Sequence, residues 1–220
     1  MIPVFIIIRD RIAWLPQLTK WLEDKAIPIL VDNDSQYPPL VKWLDKAPYT
    51  KYRLKSNHAK WAPWEEGLIG KHDSDYFAVC DPDMLPLDEC PDDAIDFWIE
   101  GLKKYGHHCA GPAYEISDLP ARYAGRREVV RWEGQFWAKP IDGSPHNCPF
   151  FEAPIDSMFA VFPRGGGIDT TKPALRSNYP YVFKHKTWYM NTNKPNKEQL
   201  FYMSRCDPNR AHWVRMVWED

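Results

Sequence analysis

The chain lacks the loops by which many nucleotide enzymes can be read. Neither a GxxxxGK[ST] stretch nor a GxGxxG turn occurs in its 220 residues. That argues against P-loop enzymes, kinases and Rossmann dehydrogenases, whose backbone glycines cradle phosphate. "RGGG" at Arg164–Gly167 has the glycines without the spacing. No basic tract stands out and the net charge is −2, which argues against a general nucleic-acid binder. The five cysteines are odd in number and form no CxxC pair. A disulfide framework and a structural zinc site are both disfavoured, and a reduced, cytoplasmic compartment is expected. Long hydrophobic runs are missing too. "VFIII" near the N-terminus is too short for a signal core or a membrane span and lacks a basic flank. No targeting or transmembrane segment is expected, and there is no internal repeat or low-complexity tract.

What is present is a globular composition with material for a core: 44% apolar, 26% charged and 15% aromatic residues. The length suits a single domain over residues 1–220. Eleven tryptophans are many. Most belong in a core, but flat rings also suit ring-shaped ligands.

The first 105 residues alternate strand and helix. "PVFIII" and "IPILV" are apolar on both faces, as in central parallel strands. Between them Leu15, Leu18 and Leu22 repeat at helical spacing, with Pro16 in the first turn. "YPPLVKWLDK" opens a second helix with prolines. "YTKYRL" and "DYFAVC" read as further strands, and "AKWAPWEEGLIG" as a short helix. "DECPDDAIDFWIEGLKKYGHH" has acids at its start, Lys103 and Lys104 near its end and Gly106 as a stop. The expected fold is α/β and Rossmann-like, with a central, mainly parallel mixed sheet flanked by helices. Residues 106–220, richer in Pro, Gly and aromatics, are expected to extend the sheet with loops and short strands such as "HCAGPAYEI" and "SMFAVFP".

In such sheets ligands bind beyond the carboxyl ends of the strands. Those ends carry Arg9-Asp10-Arg11, Asp32-Asn33-Asp34, Ser56-Asn57-His58 and Asp81-Pro82-Asp83. Their joint position on one rim is the signal. Asp81 and Asp83 flank a rigid proline, a pairing that suits a cup for Mg²⁺ or Mn²⁺ and equally a capped turn. Without a phosphate loop, bound phosphate would need metal and basic side chains, for which Arg9 and Arg11 stand ready. Asp32 suits a ribose or base N–H, or an N-cap. His185 is a candidate third metal ligand, against the alternative of a structural histidine. Trp188 and Tyr189 form one aromatic patch and Trp132, Glu133 and Trp137 another. Rings pack on hexose C–H faces while acids hold hydroxyls. Glu152 and Asp156 in "FEAPIDSMFAVFP" are acids beside a strand; Asp156 suits an acceptor hydroxyl or a flanking turn.

In order along the chain, "FIIIRDR", "ILVDND", "SNHAKWA", "YFAVCDPDMLP", "WEGQFW", "EAPIDSMFAVF" and "YVFKHKTWY" resemble an A-type-fold glycosyltransferase. The resemblance is to small, family-2-like bacterial and viral nucleotide-sugar enzymes with a DxD motif. It implies a UDP-linked donor, a glycan or glycoprotein acceptor, Mn²⁺ or Mg²⁺ as cofactor and no nucleic-acid partner. Residues 1–105 would form the nucleotide-binding half and 106–220 the acceptor half. Asp81, Asp83 and His185 would hold the metal. Arg9, Asp10, Arg11, Asp32, Asn57 and Asp81 would form the nucleotide-binding set. Asp156 would be catalytic, and Trp132, Glu133, Trp137, Glu152, Trp188 and Tyr189 would hold sugar or acceptor. The late "ED" of many inverting members has "EAPID" as its nearest match, so the stereochemical outcome is left open. Two other classes compete. A sugar-phosphate nucleotidyltransferase would need a glycine-rich basic loop near the N-terminus, where "IIIRDRIAW" stands. A non-catalytic carbohydrate binder would use the aromatics alone.

Overall fold

Strand β1 (Pro3–Ile8) explains the layering. Its six residues are all buried, because alternate side chains enter different cores. Val4, Ile6 and Ile8 pack with Leu15, Leu18 and Leu22 of α1 (Leu15–Leu22) and with Leu40 and Leu44 of α2 (Pro38–Lys46). Phe5 and Ile7 join Ile29, Val31, Phe77 and Val79 on the opposite face. A strand with two apolar faces is stable only inside such a sandwich.

The protein was analysed as a computed structural model, which describes residues 1–156, 158–206 and Val214. β1 pairs in parallel with β2 (Ile27–Asn33) and β4 (Tyr76–Cys80), and β2 pairs in parallel with β3 (Thr50–Leu54). Short α3 (Ala62–Glu65) lies between β3 and β4. After β4 come β5 (Met84–Pro86), α4 (Ala94–Tyr105) and β6 (Ala110–Tyr114). Gly106 closes α4 in the left-handed region at φ 69°, where an L side chain is disfavoured. Then follow α5 (Arg126–Gly134), β7 (Pro140–Ile141), β8 (Phe150–Ala153), β9 (Phe159–Pro163), β10 (Ala174–His185) and α6 (Lys197–Met203).

The order across the sheet is β3-β2-β1-β4-β9-β6-β10-β8-β7, with β5 pairing off this path to β10. β9 runs antiparallel to β4 and β6, while β10 runs parallel to β6 and antiparallel to β8. This is the α/β mixed sheet expected from the sequence. Two helices were not expected. α5 covers "RREVVRWEG" and α6 covers "KEQLFYM". α6 carries a reciprocal capping box between Asn196 and Gln199, a local signal present in the sequence. No described helix is long and apolar enough to cross a membrane.

Gly111 in β6 lets the start of the neighbouring strand β9 approach closely. A Cβ there would stand 2.4 Å from the Phe159 carbonyl oxygen, a backbone atom that cannot swing away. Gly111→Ala should therefore cost roughly 1–3 kcal/mol, a Tm drop of about 2–12 °C for a chain of this size. A melting curve matching the parent's would contradict this.

Candidate active site

The pairing of β5 with β10 builds the centre of the site. Its antiparallel register sets His185 opposite Met84, which places the imidazole against Asp83. The Lys186 backbone N–H donates to the Asp83 carbonyl at 2.9 Å and fixes this junction. Asp81, Asp83 and His185 then present donor atoms that all lie within 4.8 Å of one another.

Asp83 is 2% exposed. Its Oδ2 accepts from Arg11 Nη2 at 3.1 Å and from the Thr187 backbone N–H at 3.3 Å. It also accepts from the Thr187 hydroxyl and lies 3.3 Å from His185 Nε2. Burial pushes the Asp83 carboxyl up, but Arg11, His185 and Thr187 together outweigh it and hold it well below the usual carboxylate range. Asp81 has the opposite environment. Burial, then the nearby charges of Asp83 and Asp156, push its carboxyl well above its ordinary value, against the pull of Arg11 and Lys60. Burial lowers His185 toward neutral imidazole, the form that ligates metals. Trp188 supports that ring edge-on at 4.6 Å.

The donor set fits a divalent cation. Two carboxylates and one imidazole suit Mn²⁺ or Mg²⁺ with open positions for other oxygens. Asp83 Oδ1 and His185 Nδ1 are buried and lack a hydrogen-bond partner among the described residues. A buried, anionic, unpartnered carboxylate oxygen beside a second carboxylate is costly unless a cation shares it.

These residues open on a cleft of about 730 Å³. Arg9, Arg11, Asn57 and Asp156, all sequence candidates, line it together with Asp81, Asp83 and His185. The Lys60 ammonium lies 3.4 Å from Asp156 Oδ2. The wall also includes Asn33, His58, Trp61 and Tyr202, none assigned a role from the sequence. Lys60 and Trp61 sit in "SNHAKWA", just after its polar Ser56-Asn57-His58 start. Tyr202 lies on α6, whose capping box was the usable signal. The Asn33 amide donates to the Ala59 carbonyl at 2.9 Å and its Oδ1 accepts from the His58 N–H at 3.2 Å. It thereby pins the loop that presents Lys60 and Trp61.

Other candidates lie elsewhere. Asp10 is fully buried, and its Oδ1 accepts from the N–H groups of Gln36 and Tyr37 at 2.6 and 2.9 Å, at the entry to α2. Asp32 accepts from the Ser35 N–H at 3.0 Å and pairs with Arg53 at 3.3 Å. Neither lines the cleft. Both serve turns at strand ends, since a buried backbone N–H needs a partner. The sugar and acceptor candidates are also absent from its wall. Trp132 is 63% exposed on α5, and Trp137 stacks on Tyr179. Glu133 is buried against Arg176 at 2.6 Å, and Glu152 pairs with His107 at 3.3 Å. Trp188 is core. Tyr189 bonds Asp118 and lines a smaller cavity of about 260 Å³, which shares Arg11 with the cleft.

No family model and no curated protein matches the chain. Among solved structures, the chain is similar to S. aureus TarS. The crystal structure of TarS 1–349 is 9% identical with a TM-score of 0.46, over 98% of this chain and 69% of that one. TarS 1–349 in complex with UDP is 10% identical with a TM-score of 0.48, over 100% and 70% of the two chains. A longer TarS structure is 9% identical with a TM-score of 0.48, over 99% of this chain and 42% of that one.

Proposed function

We propose that this chain is a metal-dependent glycosyltransferase that moves a sugar from a UDP-linked donor to a hydroxyl acceptor. The carrying observation is the convergence of Asp81, Asp83 and His185 at one end of a large cleft that also holds Asp156. Asp81, Asp83 and His185 would hold the divalent ion, which when bound supplies charge neutralisation for a leaving diphosphate. Arg9, Arg11 and Lys60 face the same space and offset donor charge in the absence of a glycine-rich loop. Trp61, 41% exposed on the cleft wall, offers a flat face to a base, and Asn57 offers an amide. Asp156 orients the acceptor hydroxyl. If the product is inverted, Asp156 also takes the hydroxyl proton as it attacks.

The reading is tested by thermal shift and turnover over a panel of UDP-, GDP- and CMP-sugars. A donor at 100 times its Kd stabilises the fold by about 2.7 kcal/mol. Expected is a rise in Tm with one donor class that grows when Mn²⁺ is added, together with release of the nucleoside diphosphate. No shift and no release across the panel, with Mn²⁺ present, would overturn it. Pyrophosphate release from a nucleoside triphosphate would favour a nucleotidyltransferase instead.

A further inference from the structure

Asp156 sits in a short connection between β8 and β9, and its described neighbours are tied down on both sides. On one side, Arg176 Nε donates to the Pro154 carbonyl at 2.9 Å. On the other, the Asp81 backbone N–H donates to the Met158 carbonyl at 2.9 Å. Between them Ile155 is 1% exposed and belongs to the second core. Pro154 thus has a side chain as its anchor, whereas Met158 is anchored by the backbone of the metal-site turn itself.

That side chain is held in an unusual way. Arg176 lies in β10, opposite Phe151 of β8 and Gly111 of β6. Its Nη1 donates to Glu133 Oε2 at 2.6 Å, and both side chains are almost fully buried. The guanidinium lies 4.3 Å from the Phe136 ring centroid and 5.0 Å from that of Tyr114. A buried ion pair is a poor source of net stability, because desolvation cancels most of the attraction. Its fork, however, fixes direction. With Nη1 committed to Glu133 and two rings packed against the guanidinium, Nε is held on the Pro154 carbonyl.

We propose that the Glu133–Arg176 pair is a positioning element for Asp156, beside its direct partner Lys60: Glu133 of α5 orients Arg176, which holds the Pro154 carbonyl and so helps to set the carboxylate two residues later in the cleft. The inference rests on the glycosyltransferase reading for what Asp156 does there. Glu133, a sugar-contact candidate by its sequence, acts instead through Arg176 and touches no substrate.

The test replaces the pair with apolar residues of similar volume, Glu133→Leu with Arg176→Met, a swap that buried ion pairs often tolerate without loss of stability. Hydrogen exchange at Ile155 and Asp156 should quicken at least about tenfold while exchange in β1 and β4 stays as in the parent. Transfer kcat should fall by about tenfold or more, with donor KM within about twofold, since a misplaced group costs rate rather than donor binding. Arg176→Lys, which keeps the charge and loses the fork, should fall between the two. It decides the matter alone if the double variant does not fold. Unchanged exchange, or faster exchange with undiminished kcat, would overturn the proposal. A parent chain that binds and turns over no nucleotide sugar would sink the functional reading, and the exchange measurement would still decide the brace.

Discussion

Asp83→Asn should lose transfer and stability together, whereas Asp81→Asn should lose transfer alone. The two carboxylates flank one proline, yet their surroundings differ. Asp83 Oδ2 faces Arg11, Thr187 and His185, so much of its charge is compensated within the protein, while Oδ1 is left for a cation. Removing that charge leaves the Arg11 guanidinium without its acid partner in a largely buried position. Breaking such a pair costs roughly 3–5 kcal/mol. Asp81 is pushed the other way, by burial and by the like charges of Asp83 and Asp156. An amide at position 81 removes that repulsion, and the metal-free protein should melt at the parent temperature or slightly above. Either change removes a donor oxygen from the three-residue set, and turnover should drop by about 10²–10³-fold. Melting curves without metal and diphosphate release with Mn²⁺ check both halves. A parent-like melt for Asp83→Asn, or full activity of Asp83→Ala in metal-free buffer, would remove Asp83 from the centre.

Asp156→Asn should separate binding from transfer. Asp156 faces the cleft opposite Lys60 and lies outside the three-residue donor set. Metal and nucleotide should therefore bind the variant within about twofold of the parent, since Asp156 supplies no donor atom to the set and loss of its charge eases the ionisation of Asp81. Loss of a positioned general base costs typically 10²–10⁴-fold, so an inverting transfer should fall by about that amount in kcat. A retaining enzyme, in which Asp156 only positions substrate, should lose less, and anomeric analysis of the product by NMR separates the outcomes. Weakened UDP and Mn²⁺ binding with unchanged kcat would place Asp156 on the donor and not the acceptor.

The first 105 residues were readable because their signals are local. β1 and β2 are runs of branched apolar residues, α1 and α4 repeat leucines and aromatics at helical spacing, and Gly106 ends α4 as its position suggested. The pair Asp81-Pro82-Asp83 was visible at the end of β4 for the same reason. The reading of acids at strand ends was less informative at Asp10 and Asp32. An Asp that caps a turn and an Asp that meets a ligand occupy the same kind of position, and in both of these one oxygen accepts from backbone N–H groups. The aromatic patches carried the same ambiguity. Trp188 and Trp137 went to ring–ring packing, while Trp61, in a stretch noted for other reasons, faces the cleft.

By itself the sequence determined that this chain forms an α/β sheet buried on both faces, and that acids cluster where its parallel strands end. Those features follow from periodicity within a few residues, and short-range sterics enforce them. Tertiary structure decided which residues meet. His185 reaches Asp83 because the three-residue β5 pairs with the last residues of β10. Glu133 of α5 meets Arg176 of β10, and Arg176 meets Pro154 just past the end of β8, the strand paired with β10. Such contacts are set by the register of strands distant in sequence, where no local pattern records the partner. They turn scattered acids and one histidine into a single centre.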